Sequence, residues 1–374
     1  MEANKFIRTF FIWAGALLLA VAAAVAVMDP FYHYHAPISG MKAVVSKAEY
    51  QCIGTVRHFE YDSIILGSSV AENYNNRWFD EAFGGRTIKG IKSGAATVDL
   101  VYYMKEAFSA RELANVYYCV DISALNADAS KIFPDASLPL YLYNHNPFDD
   151  VQYLWNKAVL FEHIPYELAT SLDDGYDEGA SYNWAHYKTF SAEGTLSRYD
   201  RPDRVSEMKK EDENAAVIDA NLALIGDVVR AHPETRFRFI FSPYSMLWWD
   251  EAYRNGDSDG YLYTVRRAAE YLLSFDNVEV YYFQNDAEII TNLDNYMDTI
   301  HFSEEINHEI VRRMQAGECR MTLENLDEIL AGMAALVEEI EERYMGSVVC
   351  SFPSSVQHDR DDRYRNLVNS ACIS

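Results

Sequence analysis

Positive charge, cysteine and repetitive sequence are all scarce in this chain, and each shortage narrows what the protein can do. Lys and Arg number 32 against 57 Asp and Glu, giving a formal net charge of −25. A protein that grips nucleic acid needs cationic side chains to displace phosphate counterions, so no nucleic acid is expected as a partner. The cysteines, Cys52, Cys119, Cys319, Cys350 and Cys372, are too few for a disulfide scaffold, and none forms a C-x-x-C or metal-spaced pair. Their odd count leaves at least one thiol outside any intramolecular disulfide. Cys119, inside the apolar run VYYCV, reads as a small core residue. His33 and His35 have no Cys or acidic residue between Pro30 and Ser46 to complete a ligand set and read as packing or membrane-interface residues; neither a metal nor a cofactor is expected. No internal repeat or low-complexity block is present, and a hydrophobic content of 49% rules out wholesale disorder.

What the chain has in quantity is apolar and aromatic surface. From Thr9 to Met28 the run TFFIWAGALLLAVAAAVAVM carries no ionisable side chain and is long enough to cross a bilayer as a helix. It exceeds the usual length of a signal-peptide core, which favours a membrane anchor over residues 1–28 rather than a cleaved leader. Lys5 and Arg8 precede the run and Asp29 follows it, so the N-terminus is expected in the cytoplasm and everything after Pro30 outside it. Residues 29–60, aromatic and punctuated by proline, read as an extracellular collar. The abundance of tyrosine, 27 residues, suits half-buried strands and cleft walls where the ring packs and the hydroxyl finds a partner.

Beyond the collar, strand-length apolar runs recur at Ser63 to Leu66, Arg86 to Ile91, Asn115 to Val120, Arg236 to Phe241 and Val278 to Phe283. Helical periodicity fills most of the gaps, over Val98 to Phe108, Ala215 to Ala231 and Tyr261 to Phe275. Such alternation implies an α/β fold with a mainly parallel sheet of about five strands, covered on both faces as a flavodoxin-like three-layer sandwich. Residues 123–210, rich in Tyr, Trp, Asn, Asp and Pro, break the rhythm and read as a large insertion forming a cleft wall or lid. Thr322 to Tyr344 reads as an acidic amphipathic helix with Thr322 as its N-cap, and 345–374 as a poorly ordered tail.

In open parallel sheets ligands bind beyond the carboxyl ends of the strands, so chemistry is sought there. YDSIILGSSV sets a buried strand against Gly-Ser-Ser, which exposes the Ser69 hydroxyl and frees its N–H for an oxyanion. The turn lacks the Lys and second Gly of a phosphate loop. Near the end, DNYMDTIHFSEE places Asp298 and His301 three residues apart, before a helix with Ser303 at its N-cap. A serine hydroxyl needs an imidazole to take its proton, and the imidazole needs a carboxylate to fix its tautomer; D-x-x-H supplies both on one turn. His308 falls in the following helix and reads as a packing or surface residue. Tyr244 and Trp248, in FSPYSMLWWDE after the fourth strand, are weak candidates for substrate contact, with cleft packing as the alternative. The pairs Asp149–Asp150 and Asp173–Asp174 read as loop charges rather than glycosidase acids.

Together these blocks resemble the SGNH/GDSL hydrolase superfamily over about residues 61–314: GSS after the first strand, a glycine loop KGIKSGAAT after the second, and DxxHFS near the end. The resemblance implies a Ser69–His301–Asp298 triad and an oxyanion hole formed by the N–H groups of Ser69 and Gly94. The family's third block, G-x-N-D, is replaced by VYYCVDISALN with Asp121 at its place, so no Asn is carried over. With its anchor and GSS block the chain is similar to a membrane-anchored branch that includes the D-alanine transfer protein of teichoic acid synthesis and alginate O-acetylation proteins. That branch implies an esterase or O-acyltransferase acting on a cell-surface glycan or acylated polymer, and a membrane-bound O-acyltransferase as partner. The alternative is a degenerate SGNH domain that binds glycan or serves such an acyltransferase as an accessory.

Overall fold

The computed structural model describes residues 2–133 and 138–345; the tail from 346 onward lies outside the described residues. Glu2–Met28 form one uninterrupted helix, α1, with no proline or glycine pair to kink it. It stops where Asp29 turns to a positive φ of 41° ahead of Pro30. The Asp29 carboxylate, fully buried, accepts the N–H groups of His33, Tyr34 and His35 at 3.0, 2.7 and 2.9 Å. It also accepts the Tyr153 hydroxyl at 2.8 Å, and that hydroxyl in turn accepts the Phe31 N–H at 3.2 Å. His33 and Tyr34 reach the carboxylate of Asp150 at 2.9 and 3.1 Å. The collar is therefore stitched to the insertion, and Asp150 is a partner of the collar rather than a free loop charge.

Part of the collar is not a collar. Ala48–His58 form a helix, α2, whose Cys52, Ile53 and Val56 are buried in the main core against the sheet. The sequence hides it, because Gly54 interrupts it and it is only three turns long.

Six strands form one sheet in the order β2-β1-β3-β4-β5-β6. They are β1 Ser63–Gly67, β2 Thr87–Ile91, β3 Asn115–Val120, β4 Arg236–Phe241, β5 Val278–Tyr282 and β6 Arg320–Met321. The first five are parallel, with Ile64 opposite Ile88 and Val116, and Val116 opposite Phe237. The sixth, two residues long and antiparallel to β5, is one more strand than the periodicity indicates. β1 and β2 are buried along their whole length. Helices α3 (Asn76–Phe83) and α4 (Thr97–Ala110) cross over around this end of the sheet, and Ala215–Ala231 and Ser258–Leu272 serve the other strands.

Among the described residues the insertion holds only short helices, such as Val151–Leu154, Ile164–Ser171 and Ala192–Ser197. The acidic helix starts at Leu326 with Asn325 at its N-cap, not at Thr322. Thr322 instead donates its N–H to the Asn325 side chain at 2.8 Å, so the residues between them form a turn.

Tyr153→Phe removes a hydroxyl that serves a buried carboxylate and a backbone N–H at once. It should cost about 1–3 kcal/mol, read as a lower denaturation midpoint of the full chain in detergent; an unchanged midpoint would show that the Asp29 knot is solvated.

Candidate functional site

The strand order reverses direction beside β1: the chain runs from β1 out to β2 and then back across to β3. At such a switch point the loops leaving neighbouring strands diverge and open a crevice. The loops after β1, β2 and β3 carry Ser69, Gly94 and Asp121 respectively.

Ser69 begins a single 3-10 turn, Ser69–Ala71, directly after β1. Gly67 permits this tight exit, because a Cβ there would lie 2.5 Å from the Cβ of Ala71 and 3.0 Å from that of Cys119. The loop after β2 is held by the Lys92 N–H to the Gly67 carbonyl at 3.2 Å and by the Ala95 N–H to Lys92 at 3.0 Å. Asp99 adds a buried ion pair with Lys92 at 3.3 Å and accepts the Ala96 N–H at 3.1 Å. Within this brace Gly94 is exposed at φ +62°, a left-handed conformation that any side chain would strain. Among the described residues neither the Ser69 nor the Gly94 N–H donates to a protein acceptor.

The turn carrying Asp298 and His301 follows β5 and is fastened on two sides. Ser245, in the loop after β4, donates its N–H and hydroxyl to the Thr299 carbonyl at 3.1 and 2.8 Å, and the Tyr296 hydroxyl donates to Pro243 at 2.9 Å. From the insertion, Ser191 and Thr195 donate to the Tyr296 carbonyl at 3.1 and 2.7 Å. The next helix, Glu304–Ala316, starts after Ser303, although the Ser303 side chain makes no cap bond to the helix. Asn307 on that helix reaches across to the Val70 carbonyl at 3.2 Å, and exposed His308 stacks on Trp78.

These fastenings bring the three side chains into line. Ser69 Oγ lies 2.7 Å from His301 Nε2, and His301 Nδ1 lies 2.8 Å from Asp298 Oδ2. The other carboxylate oxygen, Oδ1, accepts the N–H groups of Ile300 and His301 at 2.9 and 2.8 Å. Burial by itself would raise the Asp298 carboxyl, but the hydrogen bonds from the His301 ring and backbone and the imidazole's charge outweigh it and hold the pKa low. An ionised Asp298 puts the proton on Nδ1 and leaves Nε2 with its lone pair toward the Ser69 hydroxyl. His301 keeps 22% of its side-chain surface, so the site opens to solvent.

Trp184, from the insertion, is a site residue that neither motif indicates. Its indole N–H donates to the Ser69 carbonyl at 3.1 Å, and its ring stands perpendicular to His301 with centroids 5.3 Å apart. The only sequence signal is its place in the aromatic stretch SYNWAHY.

Asp121 caps the short helix Ile122–Leu125 by accepting the Ser123 N–H at 2.9 Å. Desolvation raises its pKa, opposed by the Ser123 and Ala124 N–H groups, the Tyr244 hydroxyl and the charge of His301. Its carboxyl is engaged as an acceptor within its own loop and has no amide N–H to offer where an Asn would stand.

Tyr244 and Trp248 are packed into the interior. Both are buried, Tyr244 with its hydroxyl toward Asp121 and Trp248 packed against Tyr244, Trp249 and Tyr261. This burial corrects the substrate-contact expectation in favour of packing.

Behind the Ser69 turn lies a buried lysine, Lys89, at the centre of β2. Its ammonium donates to the Glu72 carbonyl at 2.6 Å and to the Ser181 carbonyl, tying the nucleophile's turn to the insertion. Burial pulls Lys89 down to about 7. Burial pushes the neighbouring Glu72 carboxyl up to about 7, aided by Glu49 and opposed by Lys89 and His301. Glu72 thus binds its proton more tightly folded than at its ordinary 4.5, so the stability it contributes is greatest below 4.5 and is lost as pH rises to about 7. Glu72→Gln should therefore raise the thermal midpoint relative to wild type at pH 8 and leave it near wild type at pH 4; a midpoint lowered equally at both would show that Glu72 acts by packing alone.

No family model matches this chain, and no curated protein matches it. One solved structure, described as that of a "putative platelet activating factor" from Streptococcus pneumonia, aligns over 72% of this chain and 91% of that chain. Its identity is 10% and its TM-score 0.37, a likeness too low to carry any argument about fold or activity.

Proposed function

We propose that this chain is a membrane-anchored, extracytoplasmic serine esterase or O-acyltransferase of the SGNH type, built as a flavodoxin-like three-layer domain and acting on acyl groups of a cell-surface polysaccharide or teichoic-acid-like polymer. The observation that carries the reading is the unbroken relay from Ser69 Oγ through His301 to Asp298, with separations of 2.7 and 2.8 Å. His301 Nε2 takes the hydroxyl proton while Ser69 Oγ forms a bond to the ester carbonyl carbon. The carbonyl oxygen becomes an oxyanion facing the free N–H groups of Ser69 and Gly94. The imidazolium returns the proton to the departing alkoxide, leaving an acyl-enzyme on Ser69. Water then releases the acid, or a polymer hydroxyl accepts the acyl group; His301 again serves as base.

The anchor reading puts α1 in the membrane with its N-terminus in the cytoplasm, residues 29–47 as the connection and 48–344, α2 included, as the catalytic domain. A membrane-bound O-acyltransferase is the partner such an arrangement would serve. One observation favours a second reading, an accessory domain without turnover: Asp121 offers no third oxyanion donor, which leaves the hole with two.

A fluorophosphonate probe should label the wild-type chain and spare Ser69→Ala, and Asp298→Asn should slow labelling by about 10²-fold or more. Trp184→Phe keeps an aromatic, if smaller, ring and loses the hydrogen bond to the Ser69 carbonyl; a slowing of about fivefold follows from a bond worth ~1 kcal/mol. Equal labelling of wild type and Ser69→Ala would remove Ser69 from the nucleophile's role, and absence of labelling in both would favour the accessory reading.

A further inference from the structure

A helix crossing a membrane needs about 20 residues in contact with lipid to span about 30 Å of hydrocarbon. Within α1 the uncharged run from Thr9 to Met28 meets that length with nothing to spare. Yet the globular part does not begin where α1 ends. Val151–Leu154 and the single π turn Val159–His163 pack alongside α1, and the Trp155 indole N–H donates to the Leu18 carbonyl at 2.9 Å. Leu18 lies ten residues before Met28, or about 15 Å back along the helix axis at 1.5 Å per residue. The part of that run ahead of the contact, Thr9 to Leu17, is about 14 Å of helix. That is half a bilayer's hydrocarbon.

The insertion segments around these contacts carry many exposed apolar side chains, up to the exposed Asp173 and Asp174. Phe148, Trp155, Phe161, Tyr166, Leu168 and Leu172 are all exposed, Phe161 by 72% and Leu172 by 83%. In water such a concentration of uncovered rings and aliphatic chains would be an aggregation hazard. At a lipid interface it is the usual composition, with Trp and Tyr at headgroup depth and Phe and Leu below. The exposed charges between Val151 and Ser171, Lys157 and Glu162, sit on flexible stems that can carry a charged end up toward the headgroups. Ahead of the contact with Trp155, α1 is exposed nearly all round, Phe10, Phe11 and Trp13 included.

We propose that residues 148–172 form a second membrane element: they lie in the outer leaflet against α1, their exposed apolar side chains covered by lipid acyl chains. The proposal rests on the reading of α1 as a membrane anchor, and it removes the conflict between the length of α1 and the depth of its contact with Trp155. The same insertion continues to Ser181 and Trp184, which hold Lys89 and the Ser69 carbonyl. The crevice is thereby set at a fixed height over the lipid surface, and the acyl donor it meets is one presented in that plane.

The test uses the full chain with Cys319, Cys350 and Cys372 replaced by Ser, reconstituted into phosphatidylcholine–phosphatidylglycerol vesicles containing doxyl-labelled lipid. A fluorescent NBD group is placed in turn at Phe161→Cys, Leu172→Cys, Leu19→Cys and Asp327→Cys. Leu19 reports on the anchor and Asp327, exposed on the Leu326–Glu339 helix, on a position in water. With the insertion in lipid, emission from positions 161, 172 and 19 is blue-shifted and falls by about half or more with doxyl lipid, while position 327 is unaffected. Quenching at 19 with 161 and 172 behaving like 327 overturns the proposal and leaves the anchor standing. No quenching at 19, 161 or 172 overturns the anchor reading and the proposal together. Circular dichroism of each labelled chain, matching wild type, keeps a misfolded variant from being scored.

Discussion

A parallel strand order obliges every connection to travel back along the sheet before the next strand can start, so all the outgoing loops collect at one edge. In this protein that constraint does most of the work of assembling the site. β1, β2 and β3 deliver Ser69, Gly94 and Asp121 side by side, and the loop after β4 supplies Ser245 to clamp the turn that follows β5. The serine and the imidazole are 232 residues apart in the chain and 2.7 Å apart in space. Both segments are held by main-chain and side-chain hydrogen bonds to neighbouring elements, which fixes the two groups relative to each other.

The same edge concentrates buried polar groups whose desolvation opposes folding. Each is offset locally. Lys92 and Asp99 pair with each other, Asp298 collects two backbone N–H groups and a ring, and Lys89 finds two carbonyls. Lys89 has the least favourable position, since carbonyl oxygens carry no full charge and Glu72 presents its main chain rather than its carboxylate. That strand centre is where an apolar residue would be cheapest. The lysine's contribution is geometric: one side chain fixes the distance between the Ser69 turn and the insertion.

Much of this was legible in the sequence. Asn115–Val120 and Arg236–Phe241 stand out as β-branched and aromatic runs bounded by turns, and the strands occupy those residues. Ser69, Asp298 and His301 were legible because each sits where a periodic segment stops, and because D-x-x-H keeps base and orienting carboxylate on one local turn. What stayed hidden depends on partners far away in sequence. Trp184 is one aromatic among many until the Ser69 carbonyl is seen beneath it. Asp150 looks like an idle surface charge until His33, 117 residues earlier, is seen to bond it. Tyr244 and Trp248 show the converse: a position just past a strand's carboxyl end does not tell whether a ring turns outward to a ligand or inward to fill space. β6, at two residues, is too short to have a period at all.

The knot at Asp29 has a mechanical meaning. Three backbone amides and one phenol close around a single carboxylate immediately after α1, so no loose tether separates that helix from the domain. A body hung on a floppy string sweeps a wide volume and meets its targets in many poses; a body clamped at its root sweeps almost none. Whatever holds α1 therefore dictates which way the crevice looks, and encounters are governed by how the whole unit drifts and spins about the axis of α1 rather than by bending of a linker.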